Sequence, residues 1–133
     1  MIRHVVVFRW NESVTDADLT AAAAALDALP SAIPQIVAYR HGRDLGLNPA
    51  NFEYAIVADF ATADDFAIYR DHPEHQRFIA DHIAGRAAER TAVQFEFCPV
   101  IRAGGVTPRP QEPACACAST GVASRPARRS RPG

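Results

Sequence analysis

Between Tyr69 and His75 the chain reads Tyr69-Arg70-Asp71-His72-Pro73-Glu74-His75, a phenol and two imidazoles in seven residues. These groups handle protons near neutrality: a neutral imidazole accepts one, and a phenol still holding its own donates to an oxygen that gains charge. The pair suits general acid–base chemistry, with the imidazole as proton acceptor and the phenol as donor. His75 falls in the first turn of a segment opened by Pro73, where unpaired amide N–H groups and the helix dipole oppose a positive imidazole. It is read as the base, with Tyr69 as acid or orienting group. His4, on the strand face that carries Val6 and Phe8, is assigned to ligand binding together with His72, Phe8 and Phe66. The opposing reading is a structural corner, with His72 capping a chain end, His75 bonded to a backbone carbonyl and Tyr69 in the core with a wet hydroxyl. The His72/His75 spacing also suggests a metal pair. Pro73 forces His72 out of the helix, however, and Asp71 and Glu74 point elsewhere, so neither metal nor other cofactor is expected. His41 and His82 are read as structural.

The elements that must hold these groups follow from hydrophobic spacing. Residues 2–10 are rich in β-branched and aromatic side chains and predict a strand with Ile2, His4, Val6, Phe8 and Trp10 on one face and Arg3, Val5, Val7 and Arg9 on the other. Thr15 is an N-cap with Asp18 reaching back, and the spacing of Leu19, Ala22, Ala23, Leu26 and Leu29 predicts a helix from Asp16 to Leu29, stopped by Pro30 and Pro34. A second strand is expected over Ile36–Arg40, ending near Gly42, and a third over Phe52–Phe60, hairpinned with it. Thr62 caps a short helix that presents Phe66 and Tyr69 inward and stops before Pro73. A further helical segment starts at Pro73, with Phe78, Ile79, His82 and Ile83 as its stripe, and Thr91–Cys98 supplies the last strand. Trp10, Phe60 and Phe66 are expected to line an apolar cavity between sheet and helices.

The order β-α-β-β-α-β is that of a ferredoxin-like α+β subunit: a four-stranded antiparallel sheet with helices on one face. Its other face carries Val5 and Val7 and would expose more apolar surface than monomers usually tolerate, which predicts a homodimer built sheet to sheet. Of the 133 residues, 48% are hydrophobic and 22% charged, with a net charge of −1, an ordinary globular mix. The charge is uneven: residues 1–102 hold 9 Arg and 14 acids, and residues 103–133 hold 5 Arg and 1 acid. The first segment is read as the folded domain. The second has 5 Pro, 4 Gly and no aromatic residue, and is expected to be disordered for want of apolar surface to bury. Arg125, Arg128, Arg129 and Arg131 fit a solvated tail of biased composition, so nucleic acid is not expected as a partner. The longest apolar run, Ala21 to Leu29, is interrupted by Asp27, so no membrane partner is expected either. The N-terminus passes directly into a β-like run with no apolar leader, which predicts a cytoplasmic protein. Three cysteines, Cys98, Cys115 and Cys117, are an odd number and predict no disulfide framework. No phosphate loop, Ser-His-Asp set or nucleotide signature occurs.

Four separated motifs add a resemblance. The opening Met1 to Trp10, Gly42-Arg43-Asp44-Leu45 followed by Asn48-Pro49, Val57-Ala58-Asp59-Phe60, and Tyr69 to His75 fall in the order found in the stress-responsive dimeric α/β-barrel family, which the chain resembles over about residues 1–100. The resemblance implies a ferredoxin-like subunit that dimerises through its sheet into an α/β barrel. A plant cyclase of that family closes a poly-β-ketone chain by intramolecular aldol condensation without metal or organic cofactor. It uses a Tyr and a His spaced as Tyr69 and His75 are, and His4 and His72 match histidines there too. The functions left open are a cofactor-free cyclase binding a small ketonic or aromatic molecule, a non-catalytic stress-associated binding or stabilising protein, and a cofactor-free monooxygenase of related barrel shape.

Overall fold

The computed structural model describes residues 1–99 of the chain. The segment 103–133, with its Arg cluster and Cys115 and Cys117, lies outside the described residues. Strands β1 (Ile2–Trp10), β2 (Ile36–Arg43), β3 (Tyr54–Phe60) and β4 (Ala87–Glu96) form one sheet in the order β2-β3-β1-β4, every neighbouring pair antiparallel. This is the ferredoxin-like split βαβ arrangement, with β3 inserted between β1 and β2.

The alternation along β1 decides the two faces. His4, Val6 and Phe8 are buried and join Tyr54, Ile56, Ala58 and Phe60 of β3 under the helices. The register sets Val5 opposite Val57 and Val93, and Val7 opposite Ala55 and Thr91, on the other face. Among the described residues no helix covers that second face, and Val93 and Phe95 stay 54% and 46% exposed. Arg3 closes one end of the band with a two-pronged bond to Asp59, 2.8 Å on each prong, and its guanidinium lies 4.4 Å from the Phe97 ring centre.

Helix α1 (Asp16–Ala32) opens on a complete capping box between Thr15 and Asp18 and buries Ala22, Leu26 and Leu29. It runs through Pro30 instead of stopping there. A proline so near the C-terminus costs a single backbone hydrogen bond, and Leu29 below it and fully buried Ile33 beyond it keep the last turn against the sheet. Helix α2 (Ala63–Asp71) is capped by Thr62, and α3 (Pro73–Phe78) follows after one residue, His72, which ends α2 and caps α3. The expected stripe beyond Phe78 is not regular α-helix: Ile79–Ile83 forms a wide π turn closed by Ala84 N–H donating to Ile79 O at 2.8 Å. Gly85, at φ +73°, then reverses the chain through a conformation that residues with a Cβ disfavour.

Strand β4 begins at Ala87, not Thr91. Nine-residue β1 is paired along its whole length from Ile2 against Glu96 to Trp10 against Ala87, so backbone pairing recruits Ala87 to Arg90 despite their weak strand propensity.

Candidate functional site

The topology brings the middle of β1, the end of α2, α3 and the π turn around one cavity of about 180 Å³, lined by His4, Val6, Phe8, Ile56, Tyr69, His75, Phe78, Ile79, Ile83 and Arg90. At ~30 Å³ of liquid volume per water this is room for roughly six waters, below the ~300 Å³ of a drug-sized pocket, and it suits a single small ring or short chain. The walls are apolar except for His4, Tyr69, His75 and Arg90.

The His75 ring lies against that of Tyr69, with centres 4.2 Å apart and the planes tilted by 36°. Its Nδ1 lies 3.0 Å from the Arg70 carbonyl, and a carbonyl only accepts, so Nδ1 carries the proton and Nε2 keeps a free lone pair. Burial holds the His75 pKa below its ordinary value; the bond to Arg70 O opposes this, while Arg90 and His72 add to it. The imidazole is therefore neutral at pH 7 and its Nε2 is a base.

Tyr69 is buried, with Phe60 under it at 5.0 Å between ring centres. Its Oη is 3.2 Å from that of Tyr39. Burial raises both phenol pKa values, so both hydroxyls stay protonated at neutral pH, and either can be the donor of the bond between them. With Tyr39 as the donor, the Tyr69 hydrogen is available to another acceptor.

His4 is 4% exposed, and its Nδ1 accepts from the Gln94 side-chain amide at 2.7 Å, which leaves Nε2–H as a donor. Burial foremost, then Arg90 and His75, lower its pKa to about 4. Phe66, 5.1 Å from His4 between ring centres, stands behind it and lines a separate hollow with Ile2, Ala63, Gln94, Phe95 and Glu96.

Of the residues assigned from sequence, His4, Phe8, Tyr69 and His75 meet on the cavity wall. His72 is not among the lining residues, and its Nδ1 accepts from Glu74 N–H at 3.2 Å as the cap of α3. Phe60 supports Tyr69 from below, and Trp10 stacks on Phe8 at 5.4 Å. His41 bridges β3 and α1 through Tyr54 Oη at 2.8 Å and Asp27 at 2.9 Å. Sequence reading missed Tyr39, Gln94 and Arg90. The usable signal was strand pairing: Gln94 sits opposite His4 and Arg90 opposite Phe8, so both share the inner face once β4 is given the length of β1.

A four-stranded antiparallel sheet with helices over one face and a mostly apolar cavity between them defines a ferredoxin-like α/β subunit. The sequence matches the family described as Stress responsive A/B Barrel Domain over residues 2–97, and the chain belongs to it. Among solved structures it is similar to a dimeric ferredoxin-like protein of unknown function from Thermobifida fusca, at 45% identity over 72% of this chain and 90% of that one, with a TM-score of 0.68. A dimeric ferredoxin-like protein from Bacteroides fragilis shares 27% identity over 72% of this chain and 95% of that one, TM-score 0.61. The hydroxynitrile lyase of Passiflora edulis, at 20% identity over 74% and 96% of the two chains and TM-score 0.64, shares the fold. No protein of curated function matches the chain. Among the described residues no helix is long and apolar enough to cross a membrane.

Proposed function

We propose that the chain forms a homodimer through its uncovered sheet face and that each subunit binds a small ketonic or aromatic molecule in the cavity between sheet and helices. The band of Val5, Val7, Val57, Val93 and Phe95 supports the first part, as does the dimeric state of the Thermobifida fusca and Bacteroides fragilis relatives. For the chemistry we propose a cofactor-free, cyclase-type intramolecular aldol condensation. The observation that carries it is the pairing of a bare His75 Nε2 with a protonated Tyr69 on one apolar wall.

In that reaction His75 Nε2 takes a proton from a methylene between two carbonyls. The resulting enolate carbon attacks a ketone further along the same chain, a C–C bond forms, and Tyr69 gives its proton to the ketone oxygen as that becomes a hydroxyl. The proton on His75 returns to the Tyr69 phenolate, so the ring product is an isomer of the substrate until water leaves. Tyr39 hydrogen-bonded to Tyr69 stabilises the transient phenolate.

The test is turnover of a linear 3,5,7-triketo ester by wild type, His75→Ala and Tyr69→Phe, with binding measured separately. The expected result is cyclised product from wild type and a loss of ~10²–10⁴ in rate in either variant with binding kept within a few-fold. A wild-type protein that binds no such ketone while folded overturns the reading. A second, non-catalytic reading is favoured by the corner itself, in which His72 caps α3 and His75 bonds the Arg70 carbonyl. It predicts ligand binding without turnover and a loss of thermal stability in His75→Ala. A monooxygenase would instead show oxygenated product and a requirement for O₂.

A further inference from the structure

Arg90 is the one cation among the cavity-lining residues; it is an exposed residue, and no carboxylate among the described residues pairs with it. The six arginine or histidine ion pairs among the described residues engage Arg3, Arg9, His41, Arg43, Arg70 and Arg77, and Arg90 is in none of them. Nor does its guanidinium donate a hydrogen bond to any described residue. The strand register puts it opposite Phe8, on the face that carries His4 and the cavity. Its neighbour Glu89 is on the other face, where it pairs with Arg9 at 3.1 Å. A guanidinium left unpaired beside an apolar cavity holds five N–H donors in a planar fork that matches a carboxylate.

We propose that Arg90 is the anion-recognition residue of the cavity and that the ligand is an acid, a small keto acid or aromatic acid whose carboxylate meets Arg90 while its carbonyl or ring lies toward Tyr69 and His75. This rests on the cavity being a ligand site, as proposed above. The cavity walls oppose an anion nowhere else: His4 and His75 offer neutral imidazoles, Tyr69 a phenol, and the remaining lining is hydrocarbon. A carboxylate held by Arg90 fixes which end of the chain lies near the base.

The probes are salicylate and its uncharged relative salicylamide, titrated into the full-length protein and followed by NMR shifts of the His4 and His75 rings. Salicylate is expected to bind the wild-type cavity more tightly than salicylamide. Arg90→Gln is expected to weaken salicylate on the order of ten- to a hundredfold, the size of one charged hydrogen-bonded contact, and to leave salicylamide unchanged. Arg90→Lys restores part of the loss because the charge returns without the fork. If both probes shift the two histidines equally well and Arg90→Gln changes neither, the anion assignment is overturned and the cavity stands as a ligand site. If neither probe, nor the triketo ester, perturbs His4 or His75 in the wild type, both proposals fall together.

Discussion

Acid should unfold this protein earlier than its carboxylates alone would dictate, because folding buries His4 in its neutral form. A free histidine titrates at 6.5 and His4 in the folded chain at about 4, so between those values the unfolded state binds a proton that the folded state refuses. Stability from this source is complete above pH 6.5 and is lost as pH falls toward 4. The linkage relation gives a loss on the order of 2 kcal/mol between pH 7 and pH 4.5. Set against ~5–15 kcal/mol for a typical domain this is a large share. With a urea dependence of ~1.5 kcal/mol/M the midpoint should drop by roughly 1–2 M. His75, lowered in the same direction, adds to the fall, whereas the depressed carboxyl pKa values of Asp18 and Asp71 act in a lower window, below 3.8. The variant His4→Gln retains an amide to pair with Gln94 and removes the titration. Urea unfolding at pH 7 and pH 4.5, at one protein concentration so that any dimer linkage is constant, should give it most of the lost midpoint back. An equal drop in wild type and His4→Gln would refute the burial argument.

Turnover should depend on pH through two groups whose directions are opposite in effect. His75 must be neutral and its pKa is lowered, so the acid limb lies below 6.5; Tyr69 must be protonated and its pKa is raised, so the alkaline limb lies above 10. A rate profile peaking inside that window in a narrow bell would contradict these roles. Val93→Glu places a carboxylate in the middle of the apolar band opposite Val5, and light scattering should report monomer, since burying unpaired like charges costs several kcal/mol; a dimer of unchanged affinity would move the interface elsewhere. Phe60→Ala empties a site that is 0% exposed beneath Tyr69 and should cost ~3–5 kcal/mol in denaturant unfolding, with a value under ~1 kcal/mol showing that the core there is not packed as described.

Much of the scaffold was legible in the sequence because its signals are local. The alternation of β1 sorted His4, Val6 and Phe8 from Val5 and Val7 correctly, the Thr15–Asp18 box marked the start of α1, and the order of elements gave the sheet. Two of the misses share a cause, which is that tertiary packing overrode local preference. Pro30 is carried in α1 by the burial of Leu29 and Ile33, and Ala87 to Arg90 become strand because β1 offers them partners. The candidate site was legible as far as one segment reaches: Tyr69 and His75 are joined by a short turn, so their meeting follows from spacing. Tyr39, Gln94 and Arg90 arrive from β2 and β4, at sequence distances where only the register identifies them, and Arg90 fell outside a last strand begun at Thr91. His72 illustrates a residue type that serves a cap as readily as a ligand, and the proline after it decides for the cap.

In the proposed reaction His75 Nε2 is the base that faces the bound ketone. Deuterium uptake at the carbon between the two carbonyls of ethyl 2-methylacetoacetate, followed by proton NMR in D₂O at pD near 7, reads proton removal without requiring ring closure. Wild type is expected to accelerate uptake saturably, Tyr69→Phe to slow it by about tenfold or more, and His75→Ala to return it to the buffer rate with the ketone still bound. Ketone bound in the cavity by wild type with uptake no faster than in buffer, or uptake undiminished in His75→Ala, would contradict that role.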